Sequence, residues 1–126
     1  MVLSACGTCE PLAFTRGEAT LIELCAERAE TEAERRAGLA GAAPLAEDRA
    51  LQLVFPVTGE VCLTNAPVSF AIDAAFVAED GTIVRLERDV AAGDGTPRCE
   101  PAVRSMVETT AGVLSVVAAG DRVAIP

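Results

Sequence analysis

Histidine, lysine, tryptophan and tyrosine are absent from this 126-residue chain, and its 3% aromatic content consists of four phenylalanines, Phe14, Phe55, Phe70 and Phe76. These absences exclude His-based triads, His metal sites, Lys Schiff bases and Tyr acid–base chemistry. So few aromatics also leave no stacking platform for a sugar, which weakens a glycosidase-like pairing among the nineteen acidic residues. Positive charge is scarce as well: ten arginines face those nineteen acids, for a formal net charge of -9. A field of that sign repels polyanions and anionic membranes, so no nucleic-acid partner is expected. Long apolar runs are missing. The longest uncharged stretches, 61–72 and 109–120, have 12 residues each, short of the roughly 20 needed to cross a bilayer. Both read as buried strands, and no transmembrane segment is expected.

What is present suits one folded domain. The chain is 51% hydrophobic and 23% charged, which places it among globular rather than disordered sequences, with a core of Ala, Val, Leu and Ile. Residues 20–25 read as an opening strand. Thr31-Glu32-Ala33-Glu34 has the spacing of a capping box, in which a hydroxyl and a carboxylate satisfy each other's backbone amides. It predicts a short helix near residues 31–40, ended by Gly38 or Gly41. Residues 51–55 form a strand stopped by Pro56, and 60–63 form another. Residues 71–78 and 82–88 flank Asp80-Gly81, the pair that favours a tight hairpin. Residues 92–97 are an exposed loop, and strands follow at 103–109, 113–118 and 122–125. Short strands between Gly and Pro turns predict a mainly β fold, a jelly-roll-like β-sandwich or partly open barrel. Residues 1–18 are assigned to an N-terminal tail and 19–126 to the domain.

That tail holds two signals. Leu3-Ser4-Ala5-Cys6 reads like a lipobox, with small residues ahead of a Cys that would carry the lipid, although only five residues precede Cys6 and a signal needs more. Cys6-Gly7-Thr8-Cys9 is a CxxC, the spacing of a redox pair or of half a zinc site. Convergence of Cys25, Cys62 or Cys99 would be needed to complete the metal site. With five cysteines, at least one thiol stays free or pairs between chains.

The order of motifs resembles the DUF192 family, also called UPF0127, small bacterial and archaeal proteins of unknown function. The likeness runs from about Ala19 to Ile125. It rests on Arg35-Arg36-Ala37-Gly38-Leu39, Leu53-Val54-Phe55-Pro56, Ile72-Asp73-Ala74-Ala75-Phe76 leading to Asp80-Gly81, Met106-Val107-Glu108, Gly112 and Gly120-Asp121. The family's Trp-Met-Lys-Asn-Thr segment corresponds to Cys62-Leu63-Thr64-Asn65-Ala66, so only Asn65 is kept, and the Met after Gly-Leu is Ala40. The resemblance implies a jelly-roll-like sandwich with a helix packed on it, and signal peptides are frequent among members.

Candidate ligand-binding residues are Arg35, Asn65, Asp73 and Glu108, which could frame a small polar pocket. The alternatives are structural. Asp73, among apolar neighbours, would hold a loop through backbone or Arg hydrogen bonds, with Arg35 or Arg36 as its partner. Glu108 would be a solvated strand residue, Asp121 would serve its own turn, and Cys62 would be a buried apolar filler. No cofactor is expected. Three functions stay open: a non-catalytic, envelope-associated or secreted domain binding a small molecule or partner; a thiol redox or metal protein using Cys6 and Cys9; and a structural or homodimer-forming domain. The location is periplasmic, secreted or lipid-anchored if a signal was removed upstream, and cytoplasmic otherwise.

Overall fold

The structure, a computed structural model, describes residues 9–124. Seven strands and one helix follow in the order β1 (Glu10–Arg16), β2 (Ala19–Ala29), α1 (Glu32–Ala37), β3 (Arg49–Leu63), β4 (Ile72–Val77), β5 (Ile83–Val90), β6 (Arg98–Thr110) and β7 (Arg122–Val123). They form a single mixed sheet in the order β5-β4-β6-β3-β2-β1-β7. Neighbours are antiparallel except β2 and β3, which run parallel from Cys25 beside Arg49 to Ala29 beside Leu53. A parallel pair needs a crossover, and α1 lies in it.

The mainly β expectation holds, as one curled sheet instead of two stacked ones. The edge strands meet at one end, where Ile83 N donates to Asp121 O at 2.8 Å and Val123 N to Gly81 O at 2.9 Å. Elsewhere they stay apart, so the sheet is not closed into a barrel. Gly81 is required at this junction: its φ is +90°, and a Cβ there would lie 2.7 Å from the carbonyl oxygen of Val123. Period-two alternation gives the sheet a core on each face. On β4, Ala74 and Phe76 join one cluster with Leu39, Leu53, Val61 and Met106. Ala75 and Val77 join the other with Phe14, Leu24, Val107 and Leu114.

The capping box forms as predicted. Thr31 Oγ1 accepts from Glu34 N at 3.1 Å, and Glu34 Oε1 accepts from Thr31 N at 3.0 Å. Gly38 caps the helix C-terminus. The Asp80-Gly81 hairpin between β4 and β5 forms too.

Four local expectations need correction. Residues 10–16, read as tail, are β1, which buries Leu12 and Phe14. Pro56 does not stop a strand: 51–55 and 60–63 belong to one bent β3, whose pairing with β6 is interrupted between Val54 and Gly59. A proline there has no ladder hydrogen bond to lose. Residues 111–116 are turns instead of a strand, because Gly112 adopts φ +95° and the Asp73 carboxylate takes the amides of Gly112 and Leu114. The final strand is only Arg122–Val123.

The cysteines are also corrected. Cys9 is bonded to Cys25, joining β2 to the residue before β1, and Cys62 to Cys99, at facing positions of β3 and β6 with Cα atoms 3.9 Å apart. Cys9 therefore serves neither a CxxC redox pair with Cys6 nor a zinc site, since a metal ligand must be a free thiolate. Cys62 is exposed, not a buried filler, because alternation along β3 turns Val61 and Leu63 inward. Cys6 and the lipobox lie outside the described residues. No helix among the described residues is long and apolar enough to cross a membrane.

Candidate functional site

The crossover that makes β2 and β3 parallel carries α1 across one face of the sheet, and a cleft of about 440 Å³ opens between α1, β3 and β6. Leu53, Val61, Leu63 and Met106 give it an apolar floor, while Glu32, Arg35, Arg36 and Glu60 set charge around it. This volume lies within the range of small-molecule sites. Cys62, Leu63 and Thr64, at the positions that the sequence likeness pairs with Trp-Met-Lys, form part of the wall.

Two of the four candidate residues meet here. Arg35 and Glu108 both line the cleft, from α1 and β6. Arg35 is largely committed: its Nη1 donates to the carbonyl of Glu30 and, at 3.0 Å, to that of Val54, and its guanidinium stands 5.6 Å from the Phe55 ring centroid. Arg36 pairs with Glu32 at 2.6 Å.

Glu108 differs from its expected role as a solvated strand residue. It is 5% exposed, on the face of β6 that also buries Met106. No side chain or backbone amide among the described residues donates a hydrogen bond to its carboxylate. The backbone at Gly38 lies against it, and a Cβ there would stand 3.4 Å from Glu108 Oε1, in van der Waals contact. Burial alone pushes its pKa from 4.5 to about 7.

Between pH 4.5 and 7 the unfolded chain gives up a proton that the folded chain keeps, so stability falls as pH rises, by on the order of 3 kcal/mol, and then levels off. Burial also raises Glu27, which adds slope in the same direction. Glu34, Asp80, Asp94 and Asp121 are held below their ordinary values, by backbone amides foremost in the first three and by Arg16 in Asp121, so they act in the acid range. Glu108→Gln is expected to leave stability near pH 5 almost unchanged and to raise it near pH 8 by about 2–3 kcal/mol. Urea unfolding at both pH values checks this, and equal differences at the two would refute it.

The other two candidates lie elsewhere. Asp73, 1% exposed, does not meet Arg35 or Arg36. Its Oδ1 accepts from Asp89 N at 2.9 Å, and its Oδ2 from Gly112 N at 2.9 Å and Leu114 N at 3.1 Å. Asn65, 0% exposed, donates from Nδ2 to the carbonyls of Phe70, Val90 and Ala91. Both tie loops to the sheet. Asp121 does accept from Ala118 N at 2.7 Å in its own turn, but it also takes a two-pronged bond from Arg16, which sequence could not reveal across 105 residues. Phe55 and Gly38, which shape the cleft, were visible in sequence only as parts of motifs.

Among the described residues no group of three or more His, Cys, Asp or Glu is placed to hold a metal ion. Comparison with curated proteins finds no match. Two crystal structures share the fold. A protein of unknown function from Novosphingobium aromaticivorans DSM 12444 is 19% identical with a TM-score of 0.85, covering 91% of this chain and 84% of that one. A protein from Sinorhizobium meliloti 1021 described as a candidate transcription regulator is 25% identical with a TM-score of 0.83, covering 90% and 91%. The sequence pattern of DUF192, described as an uncharacterized ACR, matches residues 13–125, and the chain belongs to that family.

Proposed function

We propose that this chain is a non-catalytic binding domain that takes a small molecule in the cleft between α1 and the β3–β6 pair. One observation carries the reading: an apolar floor lies open beneath charged side chains, and Glu108, nearly buried there, accepts no hydrogen bond from any described residue. A native protein rarely leaves a buried carboxyl unsatisfied unless something else meets it. Two disulfides in a domain of this size favour an oxidising compartment outside the cytosol as its place of work.

The test uses Ala37, an exposed α1 residue on the cleft wall. Ala37→Trp is expected to fill the opening and leave the floor intact. Native mass spectrometry of protein purified from its own host should show a small-molecule adduct on the wild type that the variant lacks, with unliganded melting temperatures within about 2 °C. An adduct on both proteins places the ligand elsewhere and overturns the reading.

Nucleic acid is not part of the proposal, although one solved relative is described as a candidate transcription regulator. A formal net charge of -9 opposes phosphate binding. Duplex DNA titrated in a mobility-shift experiment should run unshifted, and a salt-sensitive shift would reopen that class.

A further inference from the structure

We propose that the ligand of this cleft is a protonated amine on an apolar body, and that Glu108 is the group that receives the ammonium. The inference rests on the binding reading above and adds the chemical class. Four observations lead to it.

First, Glu108 is nearly buried, lines the cleft and accepts no hydrogen bond from any described residue. Second, the two cations of the cleft are already engaged, Arg35 with backbone carbonyls and the Phe55 ring and Arg36 with Glu32. Third, the carboxyl groups that line the cleft, Glu32, Glu60 and Glu108, outnumber its two arginines, Arg35 and Arg36, which favours a cationic ligand over an anionic one. Fourth, Leu53, Val61 and Met106 offer an apolar surface beside the carboxyl, matching a ligand whose charge sits at one end.

Neutral donors are less suited. An alcohol can give the carboxyl one hydrogen bond, but it does nothing for the cost of burying the charged form. An ammonium supplies three donors and the opposite charge. Because burial holds the Glu108 carboxyl protonated up to about pH 7, binding a preformed ammonium below that pH expels the carboxyl proton to solvent. The ammonium keeps its own protons, and the pair formed is carboxylate with ammonium. Uptake is therefore accompanied by proton release on the acid side and by none on the alkaline side.

The experiment is an NMR titration of the ¹⁵N-labelled full chain with three probes of equal length, n-hexylamine, 1-hexanol and hexanoate. Hexylamine should shift the amides of Gly38, Leu63 and Met106 and bind more tightly than hexanol by about tenfold or more, the value of a charge-assisted hydrogen bond. Glu108→Gln should lose that advantage while keeping its affinity for hexanol. Calorimetry of hexylamine binding near pH 6 in buffers of different ionisation enthalpy should register the released proton. If hexanol or hexanoate binds as tightly as hexylamine, or if Glu108→Gln binds hexylamine unchanged, the amine assignment is overturned and the cleft reading stands. If none of the three probes shifts cleft resonances, both fall together.

Discussion

Replacing Asp73 with alanine is expected to lower the unfolding free energy by about 4 kcal/mol. The reason lies in what its carboxylate holds. Its two oxygens accept from three backbone amides on two separate segments, Asp89 at the end of β5 and Gly112 and Leu114 in the turns after β6. Alanine leaves all three donors without that acceptor, the Leu114 amide buried and those of Asp89 and Gly112 partly so, and an orphaned donor costs about 1–3 kcal/mol where water cannot replace the acceptor. Because Leu114 and Val117 pack into one of the two cores, loosening these turns also exposes apolar surface. The melting temperature should fall by about 15 °C. Asp73→Asn keeps an oxygen but turns an amide donor toward donors, and should recover no more than about half of the loss. A thermal scan of both variants decides the matter. A shift under about 3 °C for Asp73→Ala would mean that the turns are held by something else.

Reduction of the two disulfides carries the other large effect. The bonds close separations of 16 and 37 residues, and the loops do not overlap, so their constraints on the unfolded chain add. Chain-entropy arithmetic gives about 3 kcal/mol for Cys9–Cys25 and about 4 kcal/mol for Cys62–Cys99. Their sum is a large part of what a domain this size possesses. Treatment with a phosphine reductant is therefore expected to lower the melting temperature by about 20 °C or more. Cys62→Ala with Cys99→Ala should cost more than Cys9→Ala with Cys25→Ala, because the longer loop is released. A reduced protein that melts within about 3 °C of the oxidised one would show that these bonds contribute little.

Sequence legibility varied with how local the cause was. The capping box at Thr31 and Glu34, the helix it starts and the Asp80-Gly81 hairpin are set by residues within a few positions of each other, and all three were readable. β1 was not, because its alternation of Leu12 and Phe14 is short and follows directly on a CxxC spacing. Pro56 misled because a proline excludes a paired N–H, and no sequence shows that β6 is unpaired opposite it. The candidate site divided the same way. The residues Arg35 and Glu108 are legible as a pair of charges, but the burial of Glu108 is not, because it comes from a segment some 70 positions earlier, around Gly38, lying against it. The disulfide partners were likewise hidden, since pairing is a property of register, and Cys62 faces Cys99 only once β3 and β6 align.

One feature of the sheet bears on how the chain reaches this form. β7 is two residues long, yet it pairs with β1 at Phe14 and Thr15 while the residues around it bond to Gly81 and Ile83. The two sheet edges are thus joined by a segment made after all the other strands. During synthesis from the N-terminus, β1 and β5 leave the ribosome with these groups unpaired and wait until residues 120–123 have followed. Exposed strand edges in that interval invite pairing with other nascent chains. An oxidising environment that ties Cys9 to Cys25 early would fix β1 to β2 and leave only its outer edge open until β7 exists.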